Sequence, residues 1–394
     1  VGDILKIGIY GGSFNPPHLG HEFSAAAAID QLMLDLLFII PTGIPPHKNL
    51  PAETPPVDKR LHMAQLAFSK TRNAIVSEIE IRNKKPSYTI DTVLAIKKDY
   101  PGAELYLLTG TDMFLTLDTW KDSGLLLNTV IPIVFSRSSD DLEKIAGYSA
   151  RLKSQYGVST EIVANKVVDI SSSLLRSKLP RREGAGYIDD TIYSYIIKSR
   201  IYDAKPDWGW LRSKAYSMLA PSRIPHVEGC EFEAVRLSER WGVDADDARE
   251  AAILHDITKR LSPEENLEIL EKRDLSFGVA NKNEEKLLHS KSGAALAKTE
   301  FGVSDSVADA ITWHTTGRPN MSSLEKVVYI ADYIEPTRDF DGVGRLRELA
   351  YEDLDMAVKA GLEMSIEDMR SRGIIPNRTT FDALTYIITE GATV

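Results

Sequence analysis

Of the 394 residues one, Cys230, is cysteine. That scarcity excludes a disulfide framework and a cysteine-rich zinc site, and it points to a reducing, cytoplasmic setting. A bound ion is accordingly expected to find no sulfur donor and to rely on nitrogen and oxygen. Apolar runs break off well short of the roughly 18 residues that a membrane helix needs. Val1-Gly2-Asp3 leads straight into the first apolar segment, so no signal peptide is expected. Condensed positive charge is missing too: residues 1–205 hold 24 Lys and Arg against 23 Asp and Glu, and residues 206–394 hold 23 against 34. No nucleic-acid surface is expected from that balance. Nucleotide ligands remain open, because metal ions or a local basic pocket can meet their phosphates. A Walker GK[ST] loop, a GxGxxG fingerprint, a KMSKS-like segment, heptads and internal repeats are all absent from the sequence.

What is present divides near residue 205. Before it, β-rich runs (LKIGIY, DLLFIIP, AIVSEIEI, AELYLLTG, VIPIVFS, STEIVANKVVDI) alternate with helical stretches. Such alternation predicts an α/β unit with a parallel sheet covered on both faces, binding its ligand beyond the carboxyl ends of the strands. DAKPDWG, residues 203–209, reads as a connector. Beyond it apolar residues recur at helical spacing, predicting an all-α unit. The expected domains are residues 1–205 and 206–394.

GGSFNPPHLGH, residues 11–21, closes the first strand. Gly11 and Gly12 allow a phosphorylated ligand close to the backbone, and Pro16 and Pro17 stiffen the loop. His18 and His21 can aim two ring donors at one anion at the start of a helix. PTGIPPHK adds His47 and Lys48, and DISSSLLRS offers Ser172 and Ser173 with Arg176 one turn inside a helix. Each alone has a plainer reading: turn histidines, a surface lysine, serine caps. Together they describe a pocket that grips a polyphosphate from several sides.

These segments, with RLHMAQLAF, PSYTIDTV and GTDMFLTLDTWK, resemble the bacterial nicotinate-nucleotide adenylyltransferases of the HxGH nucleotidyltransferase superfamily, over residues 4 to about 200. The resemblance implies a Rossmann-like fold and adenylyl transfer from ATP, with Mg²⁺, to nicotinate mononucleotide, giving deamido-NAD and pyrophosphate. It implies His18, His21, Lys48 and Arg176 around the ATP phosphates and Ser172 and Ser173 as ATP-side donors. Thr89, Asp112 and Trp120 would lie on the mononucleotide side. Gly11, Gly12, Ser13, Phe14, Gly110 and Arg137 would be further nucleotide contacts. Asn15 stands where that family often has aspartate.

The helical half carries His226, His255, His289 and His314 with Asp256 and Asp332, several of them inside apolar runs such as AAILHDI and VVYIADYI. Burying such groups unpaired is costly, and a shared cation would satisfy them. The plainer reading is a core histidine bonded to a carbonyl, with Asp256 paired to Lys259. RIPHVEG, ILHDITK, LLHSKSG, AITWHTTG and YIADYIEPTR resemble the HD-domain phosphohydrolases that split diadenosine tetraphosphate symmetrically into two ADP. That resemblance implies an all-α HD domain over residues 212 to 385 and two divalent or mixed-valence metal ions, iron foremost. Asp256 would bridge the ions, and Lys259 and Arg338 would meet the polyphosphate. The Glu228-Gly229-Cys230 continuation after His226 departs from the family pattern. A non-catalytic nucleotide-sensing or oligomerisation module, or hydrolysis of another phosphate ester, is the alternative.

Overall fold

In the computed structural model, which describes residues 4–44, 51–82, 85–136, 139–166, 168–273 and 285–390, the first apolar run becomes strand β1, Lys6–Gly12. Ile7 and Ile9 are buried on one face of it and Gly8 and Tyr10 on the other, as expected of a central strand covered on both sides. Around it lie β2 (Leu36–Pro41), β3 (Ala74–Val76), β4 (Glu104–Gly110), β5 (Ile131–Phe135) and β6 (Glu161–Val163). The order is β3-β2-β1-β4-β5-β6 and every pairing is parallel. Strands wound in opposite senses from β1 and β4 leave a switch point between them, where such sheets open a crevice at the carboxyl ends. Register aligns those ends: Gly12 lies beside Pro41, Tyr10 beside Leu108, and Gly110 beside Phe135. The loops carrying the histidines and the GTD segment therefore leave one edge of the sheet.

Two strands are shorter than the sequence pattern predicts. AIVSEIEI pairs only through Ala74–Val76, with a last bond from Ser77 N–H to the Ile39 carbonyl at 2.8 Å. Its partner β2 next turns toward β1, where Thr42 N–H donates to the Gly12 carbonyl at 2.9 Å. The chain then folds inward so that Glu80 accepts from the Thr92 hydroxyl at 3.0 Å. Among the described residues of 159–170 only Glu161–Val163 pairs.

The chain separates by its internal contacts into Val1–Lys205 and Pro206–Val394. The second unit has no strand among the described residues. Leu237, Ile253, Ile311, Val327 and Leu362 are all fully buried in its core. Its helix starts use Ser-x-x-Glu boxes: Ser262 with Glu265, and Ser322 with Glu325, satisfy each other's backbone N–H groups. No helix among the described residues is long and apolar enough to cross a membrane.

Gly43, where β2 gives way to the PTGIPPHK loop, is the tightest backbone approach in the first unit. A Cβ there would lie 2.4 Å from the Glu80 carbonyl oxygen, a backbone atom that cannot swing aside. Gly43→Ala is expected to lower stability by about 1–3 kcal/mol, measured as a shift in the urea midpoint at constant slope.

Candidate functional sites

The loop after β1 is held from all sides by donors to its carbonyl oxygens. Arg60, 2% exposed, donates to Ser13 O at 2.9 Å and to Thr42 O at 2.8 Å, tying the exits of β1 and β2 together. Arg176 donates to Asn15 O at 2.7 Å, and Ser172 Oγ to Pro16 O at 2.9 Å. The Asn15 side chain accepts from the Tyr202 hydroxyl at 2.7 Å and donates to Thr54 Oγ1 at 2.9 Å. Helix Ser172–Lys178, capped by Ser171, thus lies against the HxGH loop, with Ser173 Oγ 3.2 Å from the Arg176 guanidinium.

This frame fixes the two histidines. His18 precedes helix Leu19–Leu32, and its ring centroid is 3.8 Å from that of His21. The backbone N–H of His18 donates to His21 Nδ1 at 3.2 Å, so the neutral His21 ring carries its proton on Nε2. His21 Nε2 is then a hydrogen-bond donor, the polarity an oxyanion needs. Phe14 is buried against His21, Tyr10 and Phe68, with ring centroids 5.3–5.8 Å away. Its ring is a floor beneath His21, which leaves only its backbone to meet a ligand. Gly11 is exposed, and Gly12 and Ser13 are half-buried at the mouth of the loop.

On the other side of the switch point Gly110 ends β4, and Asp112 stands exposed in the short helix after it. Trp120 is half-buried, its indole N–H donating to Thr116 Oγ1 at 3.2 Å. Thr89 opens helix Thr89–Asp99. Lys121 joins these segments: its ammonium lies 3.3 Å from Asp91 and over the Tyr88 ring at 4.3 Å. The Trp120 loop therefore docks on the helix that Thr89 begins. His47, Lys48 and Arg137 lie outside the described residues.

The second unit builds its centre by a repeated device. The Nδ1 atoms of His255, His289 and His314 lie 2.7, 2.8 and 2.7 Å from the carbonyl oxygens three residues upstream, those of Ala252, Lys286 and Ile311. A carbonyl only accepts, so each Nδ1 bears the proton and each Nε2 presents a lone pair. His226 reaches the same state through Glu335, whose Oε1 lies 3.0 Å from His226 Nδ1. The HD segment is therefore not a continuous helix as the sequence suggests. Helix Ala245–Leu254 ends at its C-cap, His255, whose ring takes the Ala252 carbonyl.

The lone pairs converge. His226 and His255 Nε2 are 3.3 Å apart, as are His289 and His314 Nε2. Asp256, fully buried, spans the two pairs. Its Oδ2 lies 3.4 Å from His255 and 4.0 Å from His226, and its Oδ1 lies 3.2 Å from His289 and 3.6 Å from His314. Asp332 Oδ1 closes the first pair, 3.1 Å from His226 Nε2. Burial holds His314 down to about 4 and lowers His289, so both are neutral acceptors near pH 7. Burial acts to raise Asp256 and Asp332, but the imidazoles around them outweigh it and keep both carboxylates well below their usual range. Burial opposes charge on His255 as well, yet Asp256 beside it raises the imidazole.

Asp256 Oδ1 forms no hydrogen bond of sound geometry. Each buried acceptor left unpaired costs about 1–3 kcal/mol. Several together, facing one another, fit a centre completed by cations. The donors form two overlapping groups, His226–Cys230–His255–Asp332 and His255–Asp256–His314. The expectation that no sulfur donor is available fails here: Cys230 Sγ lies 3.4 Å from His226 Nε2.

Comparisons with known proteins agree with this division. The Cytidylyltransferase-like family matches residues 9–178 and the HD domain family residues 223–337. A "Probable nicotinate-nucleotide adenylyltransferase" of Carboxydothermus hydrogenoformans is 38% identical over 200 residues, 50% of this chain and 98% of the relative. The "Bis(5'-nucleosyl)-tetraphosphatase, symmetrical" of Bacillus subtilis is 43% identical over 141 residues, 36% of this chain and 75% of its own. A "Probable nicotinate-nucleotide adenylyltransferase/Ap4A hydrolase" of Mycoplasma genitalium is 30% identical over 335 residues, 84% of this chain and 88% of its own. The chain belongs to the family that fuses an HxGH nucleotidyltransferase to an HD-domain phosphohydrolase. Both units match enzyme families.

Arg60 and Arg223 have contacts at the sites that the sequence pattern does not assign, while Lys259 and Arg338 are residues it names. Arg60 lies within RLHMAQLAF, where nothing marks it as the buried clamp of the HxGH loop. In the HD unit Arg223 places Nη2 2.5 Å from Asp256 Oδ2. Its position three residues before His226, one turn upstream, was the available clue. Lys259 Nζ lies 3.0 Å from His289 Nε2 and 3.8 Å from Asp256 Oδ1. Arg338 folds back on Asp332, with Nη2 2.5 Å from Oδ1 and Nε donating to the Asp332 carbonyl. Burial works against that guanidinium's charge, but Asp332 raises its pKa.

Glu335 is fully buried and accepts from Thr337 N–H and the Thr337 hydroxyl, each at 2.6 Å, while it orients His226. Gly229 makes room for it, since a Cβ there would lie 2.6 Å from Glu335 Oε2. Glu335→Gln keeps the shape but weakens the acceptor for His226. It is expected to lower the metal affinity of the HD unit about 10–100-fold, read by competition with a chelator.

Proposed function

We propose that residues 1–205 transfer the adenylyl group of ATP to nicotinate mononucleotide, and that residues 206–394 hydrolyse diadenosine tetraphosphate symmetrically to two ADP. The observation that carries the first activity is the His18–His21 pair, its rings in contact and His21 pinned by the His18 backbone in the loop after β1. ATP, accompanied by Mg²⁺, lies with its phosphates over that loop. The ionised 5′-phosphate of nicotinate mononucleotide attacks the α-phosphorus, the bond from the α-phosphorus to the oxygen bridging the α- and β-phosphates breaks, and pyrophosphate leaves. His18 and His21 donate to the oxygens on which charge grows, with Lys48 and Arg176 assisting. No protein nucleophile is needed, because the attacking oxygen is already charged and positioning supplies the rate. Thr89, Asp112 and Trp120 hold the mononucleotide, with Gly110 letting it approach the end of β4. Ser172, Ser173 and Arg137 complete the ATP side. The relative from Carboxydothermus hydrogenoformans, aligned over 200 residues of this chain, supports the reading.

The hydrolase reading rests on Asp256 spanning two pairs of inward imidazole lone pairs. His226, His255 and Asp332 would hold one ion and His289 and His314 the other, with Asp256 shared; iron is the metal we assign. When bound, such a pair supplies Lewis-acid polarisation of the phosphoryl group and a lowered pKa for water. The chain's own cations, Arg223, Lys259 and Arg338, meet the charge of the phosphate chain. The names of the relatives from Bacillus subtilis and Mycoplasma genitalium point to the same substrate class.

His18→Ala is expected to cut adenylyl transfer about 10²–10³-fold and to leave hydrolysis unchanged; Asp256→Asn should do the reverse. Purified full-length variants, assayed with nicotinate and nicotinamide mononucleotides and with diadenosine tetraphosphate, report both. Products of AMP plus ATP, or loss of both activities in either variant, would contradict the assignment.

A further inference from the structure

Cys230 lies one helical turn after His226 in helix Ile224–Trp241 and is 2% exposed. Residues four apart share a helix face, so the thiol and the His226 imidazole point the same way. A buried cysteine is most often a small apolar core residue. Here its sulfur instead meets the polar centre: Sγ is 3.4 Å from His226 Nε2, and Sγ, one ring nitrogen each of His226 and His255 and an Asp332 oxygen all lie within 4.8 Å of one another.

The spacings among these atoms are those of donors around one ion. Donors held at about 2.0–2.3 Å by a single ion sit roughly 3–3.7 Å apart, for bond angles between right and tetrahedral. The edges radiating from His226 Nε2 are 3.1 Å to Asp332 Oδ1, 3.3 Å to His255 Nε2 and 3.4 Å to Cys230 Sγ. The two imidazole lone pairs, with both Nδ1 atoms committed to Glu335 and Ala252, independently call for a cation at this spot.

We infer that Cys230 is a thiolate ligand to the ion held by His226, His255 and Asp332, so that the two halves of the HD centre differ in kind. The inference rests on the metal-holding reading of this centre. The position carrying Cys230 has sulfur, nitrogen and oxygen donors. The position at Asp256, His289 and His314 has only nitrogen and oxygen. Sulfur favours borderline ions such as Fe²⁺, Co²⁺ and Zn²⁺ over Mg²⁺ and Mn²⁺. Binding there releases the thiol proton to solvent as the metal–sulfur bond forms.

The test is the absorption spectrum of the full chain titrated anaerobically with Co²⁺. Cys230 is the chain's sole cysteine, so a thiolate-to-cobalt charge-transfer band in the near ultraviolet can come from nowhere else. The wild-type chain is expected to show that band together with the visible bands of bound cobalt. Cys230→Val, which fills the apolar side of the site, should lose the near-ultraviolet band and keep the visible ones. One equivalent should then bind about tenfold more weakly or worse. Visible bands without charge transfer in the wild-type chain would overturn the thiolate assignment and leave the metal centre standing. Failure of the wild-type chain to take up cobalt would overturn both.

Discussion

A single choice, which group meets Nδ1 of an imidazole, separates the two chemistries of this chain. At His21 a backbone N–H donates to Nδ1, so Nε2 holds the proton and the ring offers a donor. At His255, His289 and His314 a carbonyl accepts from Nδ1, and at His226 a carboxylate does; Nε2 becomes a lone pair. A donor near pH 7 suits an anion and a lone pair suits a cation. On the proposed function, His21 of the first unit suits phosphate and the four histidines of the second suit metal, though the residue type is the same.

Each unit fixes that choice with ordinary backbone structure. In the first, the parallel sheet brings the ends of β1, β2, β4 and β5 to one edge, and Arg60, Arg176 and Ser172 grip the carbonyls of the β1 loop that carries His18 and leads to His21. In the second, His255 and His314 sit where a helix ends and a carbonyl is left without an intrahelical partner. The ring that satisfies the helix end is thereby turned toward the centre. The acidic excess of residues 206–394 does not prevent phosphate chemistry, because Arg223, Lys259 and Arg338 concentrate positive charge at the cluster itself.

Periodicity made the parallel sheet and the helical second half legible, since alternation of strands and helices and a later 3.6-residue period are distributed over whole segments. The short strands β3 and β6 were overestimated, because their length is set by where a neighbouring strand turns away rather than by their own residues. Histidines and aspartates inside apolar runs marked the second centre. Arg60, Arg223 and Glu335 did not stand out, since a charged residue in a helix or loop reads as solvated until the fold buries it. As the sole cysteine Cys230 argues against thiolate clusters, and its nearness to His226 depends on a helix phase that one residue type does not reveal.

The most direct test is the ¹⁵N NMR signature of the histidine rings in the metal-free full chain, in alkaline buffer where the imidazoles are neutral. The account predicts the Nε2–H tautomer for His21 and the Nδ1–H tautomer for His226, His255, His289 and His314. Nε2–H tautomers in the second unit would place protons where the cation is meant to bind, and would contradict it.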